Sequence, residues 1–214
     1  MNITIIGTGN MARGIGTRAL AGGNNLTLVG HEAGKAEALA AELQGAAAQD
    51  ASIQVAAPGA ALDGEVVVLA VPYPAVASIV AQYGDQLAGK IVVDITNPID
   101  FTTMTPVVAP GTSGAEEIAK AAPAGVKVVK AFNTTFAGTL VAGQVAEQPL
   151  DVLIAGDDAD AKATVSQLVE SGGLRAIDAG ALERARQLEA LGLLHIALLF
   201  TRNTGFATAV KLLA

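Results

Sequence analysis

Cysteine and tryptophan are absent from this 214-residue chain, and aromatic residues make up only 3% of it. Without a thiol there is no disulfide scaffold, no thiolate nucleophile, no iron–sulfur cluster and no Cys-based zinc site. The two histidines, His31 and His195, are too few and too scattered to found a metal site. Positive charge is also scarce: 13 Lys and Arg face 20 Asp and Glu, a formal net charge of −7. With no basic run, nucleic acid is not an expected partner, because phosphate contacts need clustered Lys and Arg. Long apolar runs are missing too, although the mean hydropathy is +0.48. A membrane span needs about 20 apolar residues in succession. The stretch Val66–Ala81 is broken by Pro72 and Pro74, and residues 188–200 carry Glu189 and His195. The opening MNITIIG has neither a basic n-region nor a long apolar h-region. The expectation is a cytoplasmic protein with no membrane partner.

What the chain does have is small apolar residues. Its hydrophobic fraction is 51%, and it carries 24 glycines. A core of Ala, Val, Leu and Ile lets layers of structure approach closely. The length suits one large domain, or one with a small appendage. Apolar runs at 2–6, 26–29, 53–55, 65–71, 90–95, 126–131, 152–155 and 174–177 predict strands. Helix-favouring stretches at 10–21, 32–43, 74–83, 114–122, 136–142 and 159–171 alternate with them. From 181 to the end the pattern reads as helix, with a break near Asn203–Gly205. Residues 97–113, rich in Pro, Thr and Gly, read as a surface connection near the carboxyl edge of the sheet.

The strongest chemical signal is Ile6–Ala12, IGTGNMA, which matches G-x-G-x-x-G/A. It directly follows the first strand and opens a helix, the context its mechanism requires. Gly7 allows the tight turn, Gly9 lets the backbone approach a pyrophosphate, and Ala12 allows close helix–strand packing. The free N–H groups of the helix start would face the phosphates. The alternating elements and this turn together predict an α/β fold. It is a Rossmann-like, doubly wound, mostly parallel sheet with helices on both faces and a C-terminal helical extension. We expect a dinucleotide-binding domain over 1–179, with a helical segment over 180–214 packed on it. The apolar last 35 residues also suit contact between two copies in a homodimer.

The second strand ends Val29-Gly30-His31-Glu32, followed by Lys35. An acid at the strand tip would bond the ribose hydroxyls of NAD. Here His31 and Lys35 could instead hold the 2′-phosphate of NADP, while Glu32 could bond the ribose, repel the phosphate, or simply start the next helix. Both NADP(H) and NAD remain open, with NADP favoured. Three further loops leave the carboxyl edge where a ligand would lie. They carry Ala70-Val71-Pro72, Asn97 and Lys130-Ala131-Phe132-Asn133. Asn97 and Asn133 would bond a carboxamide or ribose, or merely form turns. Lys130 stands beside this edge with no evident acid partner. His195 reads as a packed histidine. No side chain is expected to act as an acid or base, which fits hydride transfer.

The chain resembles the NADPH:coenzyme F420 oxidoreductases and, more distantly, the reductase domain of membrane ferric reductases. The likeness rests on Ile6–Gly14 (IGTGNMARG), Val29–Ala40 (VGHEAGKAEALA), Leu69–Tyr73 (LAVPY) and Asp94–Pro98 (DITNP). It continues through Ser113–Pro123, Val128–Leu140 (VVKAFNTTFAGTL), Ile154–Lys162 and Gly172–Leu194. The resemblance implies that Thr8, Asn10 and Met11 touch the cofactor phosphates and that His31 and Lys35 sit at the 2′-phosphate. It also implies that Ala70, Val71 and Pro72 line the ribose and nicotinamide, with Ala131 and Asn133 near the nicotinamide. The implied reaction is hydride transfer between NADP(H) and the deazaflavin coenzyme F420 as second substrate. Other acceptors within the same enzyme class are a flavin, a ferric chelate or a small imine or ketone. A non-enzymatic NADP sensor is the remaining alternative. Family members often carry Ser-Arg at the end of the second strand, where His31 and Glu32 stand here.

Overall fold

The computed structural model describes residues 1–213. The strands are β1 (Asn2–Ile6), β2 (Asn25–Val29), β3 (Ile53–Ala56), β4 (Val66–Leu69), β5 (Ile91–Asp94), β6 (Ile99–Asp100) and β7 (Thr105–Pro106). They continue with β8 (Lys127–Lys130), β9 (Gln144–Val145), β10 (Gln148–Pro149), β11 (Asp151–Gly156) and β12 (Arg175–Gly180). The helices are α1 (Asn10–Ala21), α2 (Ala33–Leu43), α3 (Tyr73–Tyr83), α4 (Gly114–Ala121), α5 (Ala137–Ala142), α6 (Ala159–Ser171) and α7 (Ala185–Arg202).

Eight strands form one sheet in the order β12-β11-β8-β5-β4-β1-β2-β3. From β3 to β8 all neighbours are parallel. That is the doubly wound order of a dinucleotide-binding sheet, and the order in which strands are added reverses between β1 and β4. β4 and β5 are buried at every position, as strands covered on both faces must be. Alternate residues serve opposite cores. Val66 and Val68 join Ile3, Ile5, Ile15 and Leu20 on the α1 face. Val67 and Leu69 join Ile6, Val76, Val80 and Ile118 on the α3 face.

The sheet departs from uniform parallel pairing at one end. β11 runs antiparallel to β8, and β12 is parallel to β11. The cause is the short crossover. α5 has six residues, which span only about 9 Å at 1.5 Å per residue. That is too short to carry the chain back to the opposite edge, so it turns through the β9–β10 hairpin and re-enters from the edge it left.

The segment after residue 180 is only partly helical. α7 stops at Arg202, where Asn203 takes φ +50° and Gly205 takes φ +60°. The helix breaks at Asn203–Gly205, where the sequence predicts a break, and the chain beyond continues not as helix but as a strap that returns along the molecule. The strap is pinned at Asp151: Arg175 donates to both its oxygens (2.8 and 2.6 Å), Lys211 Nζ to Oδ1 (2.7 Å) and the Leu212 N–H to Oδ2 (2.8 Å). Burial pushes the Asp151 carboxyl up, but these donors outweigh it and hold it at about 2. The connection over 97–113 contains a small antiparallel pair, β6 with β7.

Candidate functional site

The β1–α1 turn is shaped by one close approach. Gly7 takes φ +126°, and its N–H donates to the Val29 carbonyl at 2.8 Å. A Cβ at this position would lie 2.1 Å from the Ala70 carbonyl oxygen, so only glycine fits. Gly9 caps α1 with no side-chain hydrogen bond, and the first turn has no acidic residue. A Cβ on Gly9 would meet nothing within 4 Å. The helix start therefore offers N–H donors, a favourable dipole and open space, which fits a diphosphate. Thr8 leans toward β2: a Cβ on Gly30 would touch Thr8 Cγ2 at 2.6 Å. Asn10 Oδ1 accepts from Arg13 Nη1 (2.8 Å), while Arg13 Nε pairs with Glu42 (2.7 Å).

His31, Glu32 and Lys35 gather on one exposed turn at the end of β2. Lys35 Nζ pairs with Glu32 Oε1 at 2.7 Å. That hydrogen bond, with the charge behind it, holds the Glu32 carboxyl below its usual range. The lysine expected at a 2′-phosphate is thus engaged by the acid beside it. Such an exposed pair is weak, and a dianion can compete for it.

Along the carboxyl edge, the Ala70 N–H donates to Ile6 O at 2.8 Å, Val71 is half-buried, and Pro72 is exposed and caps α3. Asn97 and Asn133 meet: Asn97 Nδ2 donates to the Asn133 carbonyl (2.8 Å), and Asn133 Nδ2 donates to Asn97 Oδ1 (2.9 Å) and Leu188 O (2.8 Å). Asn133 Oδ1 is buried without a partner. Phe132, just before it, is buried at φ +62°, a costly conformation for a bulky residue. Its carbonyl is held by the Thr135 N–H and Oγ1 (3.1 and 2.7 Å). Ala131 has no exposed surface and packs in the core below the edge.

Some of these residues open on one cavity of about 670 Å³, whereas Thr8, His31, Lys35, Ala70, Val71, Pro72 and Ala131 do not line it. Asn10 and Met11 of the turn form one end, and Asn97 and Asn133 form the floor. Aliphatic Ile95, Val141 and Ile196 line it too, and the largest share is aromatic. All five phenylalanines of the chain, 101, 132, 136, 200 and 206, line it. The few phenylalanines of the sequence are therefore concentrated at one place, while Tyr73 and Tyr83 lie elsewhere. His195 packs behind this wall, 4.4 Å from the Phe136 ring centroid, with Nδ1 near Thr134 O (3.3 Å) and Nε2 near Thr208 Oγ1 (2.9 Å). Burial lowers its pKa.

Lys130 departs from expectation. It is fully buried and bonded to two acids: Asp94 Oδ2 and Glu189 Oε1, each at 2.7 Å. Burial pushes the Glu189 carboxyl up, while Lys130 and the Gly114 N–H pull against it. A signal for half of this cluster was available. Asp94 and Lys130 end adjacent apolar strands and stand in register. Glu189, on α7, had none.

A family model described as "NADP oxidoreductase coenzyme F420-dependent" matches residues 2–98. The F420-dependent NADP reductase of Methanothermobacter thermautotrophicus is 34% identical over 199 residues, covering 88% of this chain and 85% of that protein. The metalloreductase STEAP3 of Rattus norvegicus is 34% identical over 191 residues. That match takes in 89% of this chain and only 36% of the rat protein. The crystal structure of a putative F420-dependent NADP reductase from Arthrobacter sp. FB24 superposes with a TM-score of 0.82. It is 30% identical, and the alignment covers 99% of each chain. Among the described residues, no helix is long and apolar enough to cross a membrane.

Proposed function

Because the chain belongs to the family of coenzyme F420-dependent NADP oxidoreductases, we propose that it transfers hydride between NADP(H) and coenzyme F420. One observation carries this reading: the phosphate-ready turn and the aromatic cavity are continuous, since Asn10 and Met11 line the same space as Asn133 and the five phenylalanines. When bound, NADP(H) supplies the hydride chemistry. The chain's own residues orient and shield. The α1 N-terminus receives the diphosphate, and Thr8, His31 and Lys35 surround the adenosine ribose. Ala70, Val71 and Pro72 pass the second ribose. The buried Oδ1 of Asn133 accepts from the carboxamide. The phenylalanines exclude water and hold a planar acceptor against the nicotinamide. Such a transfer needs alignment of two rings and no side-chain acid.

The test is loss of the absorbance of oxidised F420 when NADPH is added to the purified protein. No loss with either NADPH or NADH rejects the reading. The likeness to a metalloreductase favours a second reading, a ferric chelate as acceptor. A panel of F420, free flavin, ferric chelate and small imines separates the two. The protein acts as a homodimer in this proposal, because Leu194 and Leu198, one turn apart, leave one face of α7 apolar and exposed.

A further inference from the structure

Asp94, Lys130 and Glu189 form an enclosed charged cluster that the proposed transfer does not use. Asp94 and Lys130 are 0% exposed and Glu189 is 7% exposed. Hydrogen bonding sets their charge states. Lys130 Nζ donates to Asp94 Oδ2 (2.7 Å), Thr96 O (2.6 Å) and Glu189 Oε1 (2.7 Å). Three donated bonds require the ammonium form. Asp94 Oδ1 accepts the Thr96 N–H (2.9 Å), Glu189 Oε2 accepts the Gly114 N–H (3.1 Å), and the Ala115 N–H reaches Glu189 Oε1 (3.4 Å). Every carboxylate oxygen faces a donor, so a carboxyl proton would oppose an N–H. One ammonium between two carboxylates leaves a net charge of −1.

Nearby cations do not cancel this charge. Arg13 on the cavity wall is paired with Glu42 (2.7 Å). Arg186 is held by both oxygens of Glu116 (2.8 and 2.5 Å). The Tyr73 hydroxyl donates to Glu117. The dipole of α4 offsets the charge only in part. The cluster adjoins the cavity through its neighbours in sequence, although Glu189 itself borders a separate hollow that Arg186 also lines. Thr96, gripped by Lys130, precedes Asn97. Leu188, whose carbonyl takes Asn133 Nδ2, precedes Glu189. Both asparagines line the cavity.

We propose that this buried negative charge makes the cavity favour the oxidised dinucleotide over the reduced one, and so directs the protein toward taking hydride from NADPH. The inference rests on the cavity being the nicotinamide site. The oxidised ring carries a positive charge and the reduced ring does not. Departure of a hydride, with both electrons of its C–H bond, leaves the ring cationic and the acceptor reduced by two electrons. A fixed anion beside a low-dielectric floor favours the cationic ring.

Titration of NADP⁺ and NADPH into wild type, Glu189→Gln and Asp94→Asn tests this. Each substitution removes one negative charge at nearly constant shape, from opposite sides of Lys130. The ratio of Kd for NADP⁺ to Kd for NADPH should rise about five- to tenfold in each. Tenfold corresponds to about 30 mV on a two-electron couple. A purely structural role weakens both forms together and leaves the ratio unchanged. If one variant does not fold, the other decides. A ratio within about twofold of wild type in a folded variant overturns the inference while wild-type binding stands. A wild type that binds neither form overturns the reading of the cavity, and the inference with it.

Discussion

Lys35 Nζ sits 2.7 Å from Glu32 Oε1, so the lysine at the end of β2 has a carboxylate partner that a 2′-phosphate must displace. Both side chains are well exposed, at 65% and 62%, and screening keeps the contest close. Lys35→Ala should weaken NADPH about tenfold and leave NADH nearly unchanged. Glu32→Gln should do the reverse, tightening NADPH several-fold. Titrations of both dinucleotides at low and high salt check this. Equal effects on NADPH and NADH would remove Lys35 from the phosphate site.

Gly7 and Gly9 belong to one motif but answer to different demands. Gly7→Ala places a Cβ 2.1 Å from Ala70 O at φ +126°. It should cost about 2–4 kcal/mol of stability, whatever the ligand. Gly9→Ala meets nothing within 4 Å and has φ −84°. It should melt like wild type and lose dinucleotide affinity by tenfold or more, roughly one lost close contact with a phosphate. Thermal melts with and without NADPH separate the two. A Gly9→Ala protein with unchanged affinity would remove the diphosphate from the turn.

The Asp151 clamp makes stability depend on acid. Its carboxyl is held at about 2 in the fold, against 3.8 ordinarily. A depressed pKa adds stability that is full above the ordinary value and is lost as pH falls toward the folded one. The gain, screened at the exposed Arg175 side, is about 1–2 kcal/mol. Asp151→Asn should therefore melt lower than wild type at pH 7, and the gap should close between about pH 4 and pH 2. A gap that persists at pH 2 would mean that the clamp's charge contributes nothing.

Much of this architecture is legible in the chain. Local pattern suffices where structure is local: the runs at β1, β4 and β5, the turn at Gly7–Ala12, and the alternation that yields the doubly wound order. It falls short where the cause is distant. Nothing near Lys130 points to Glu189, 59 residues away on another layer. The shortness of α5 is legible, but the reversal of β11 that it entails depends on where the β9–β10 hairpin returns the chain. The break at Asn203 and Gly205 is legible, but the strap beyond it is fixed by its distant clamp on Asp151. The asparagine loops fall between these cases. Their placement at one edge follows from strand order, but their bond to each other does not.

The five phenylalanines are the most dispersed part of the site, spread from 101 to 206, and the fold converges them on one cavity. Two of them test what the cavity is for. Phe206 is 63% exposed and stands edge-on to Phe136, with centroids 5.2 Å apart. Its removal leaves little core behind, so Phe206→Ala should melt near wild type. Phe136 packs on His195 and on Phe206, so Phe136→Ala should cost about 3 kcal/mol. If the cavity holds a planar acceptor, both variants lose a ring contact with it, a loss of about two- to tenfold. The KM for F420 should rise by that factor while the Kd for NADPH stays constant, because neither ring belongs to the diphosphate turn. Phe206→Ala is the cleaner case, since stability does not confound it. A Phe206→Ala enzyme with an unchanged KM for F420, but a raised KM for a ferric chelate or imine, would keep the cavity as the acceptor site and change the acceptor.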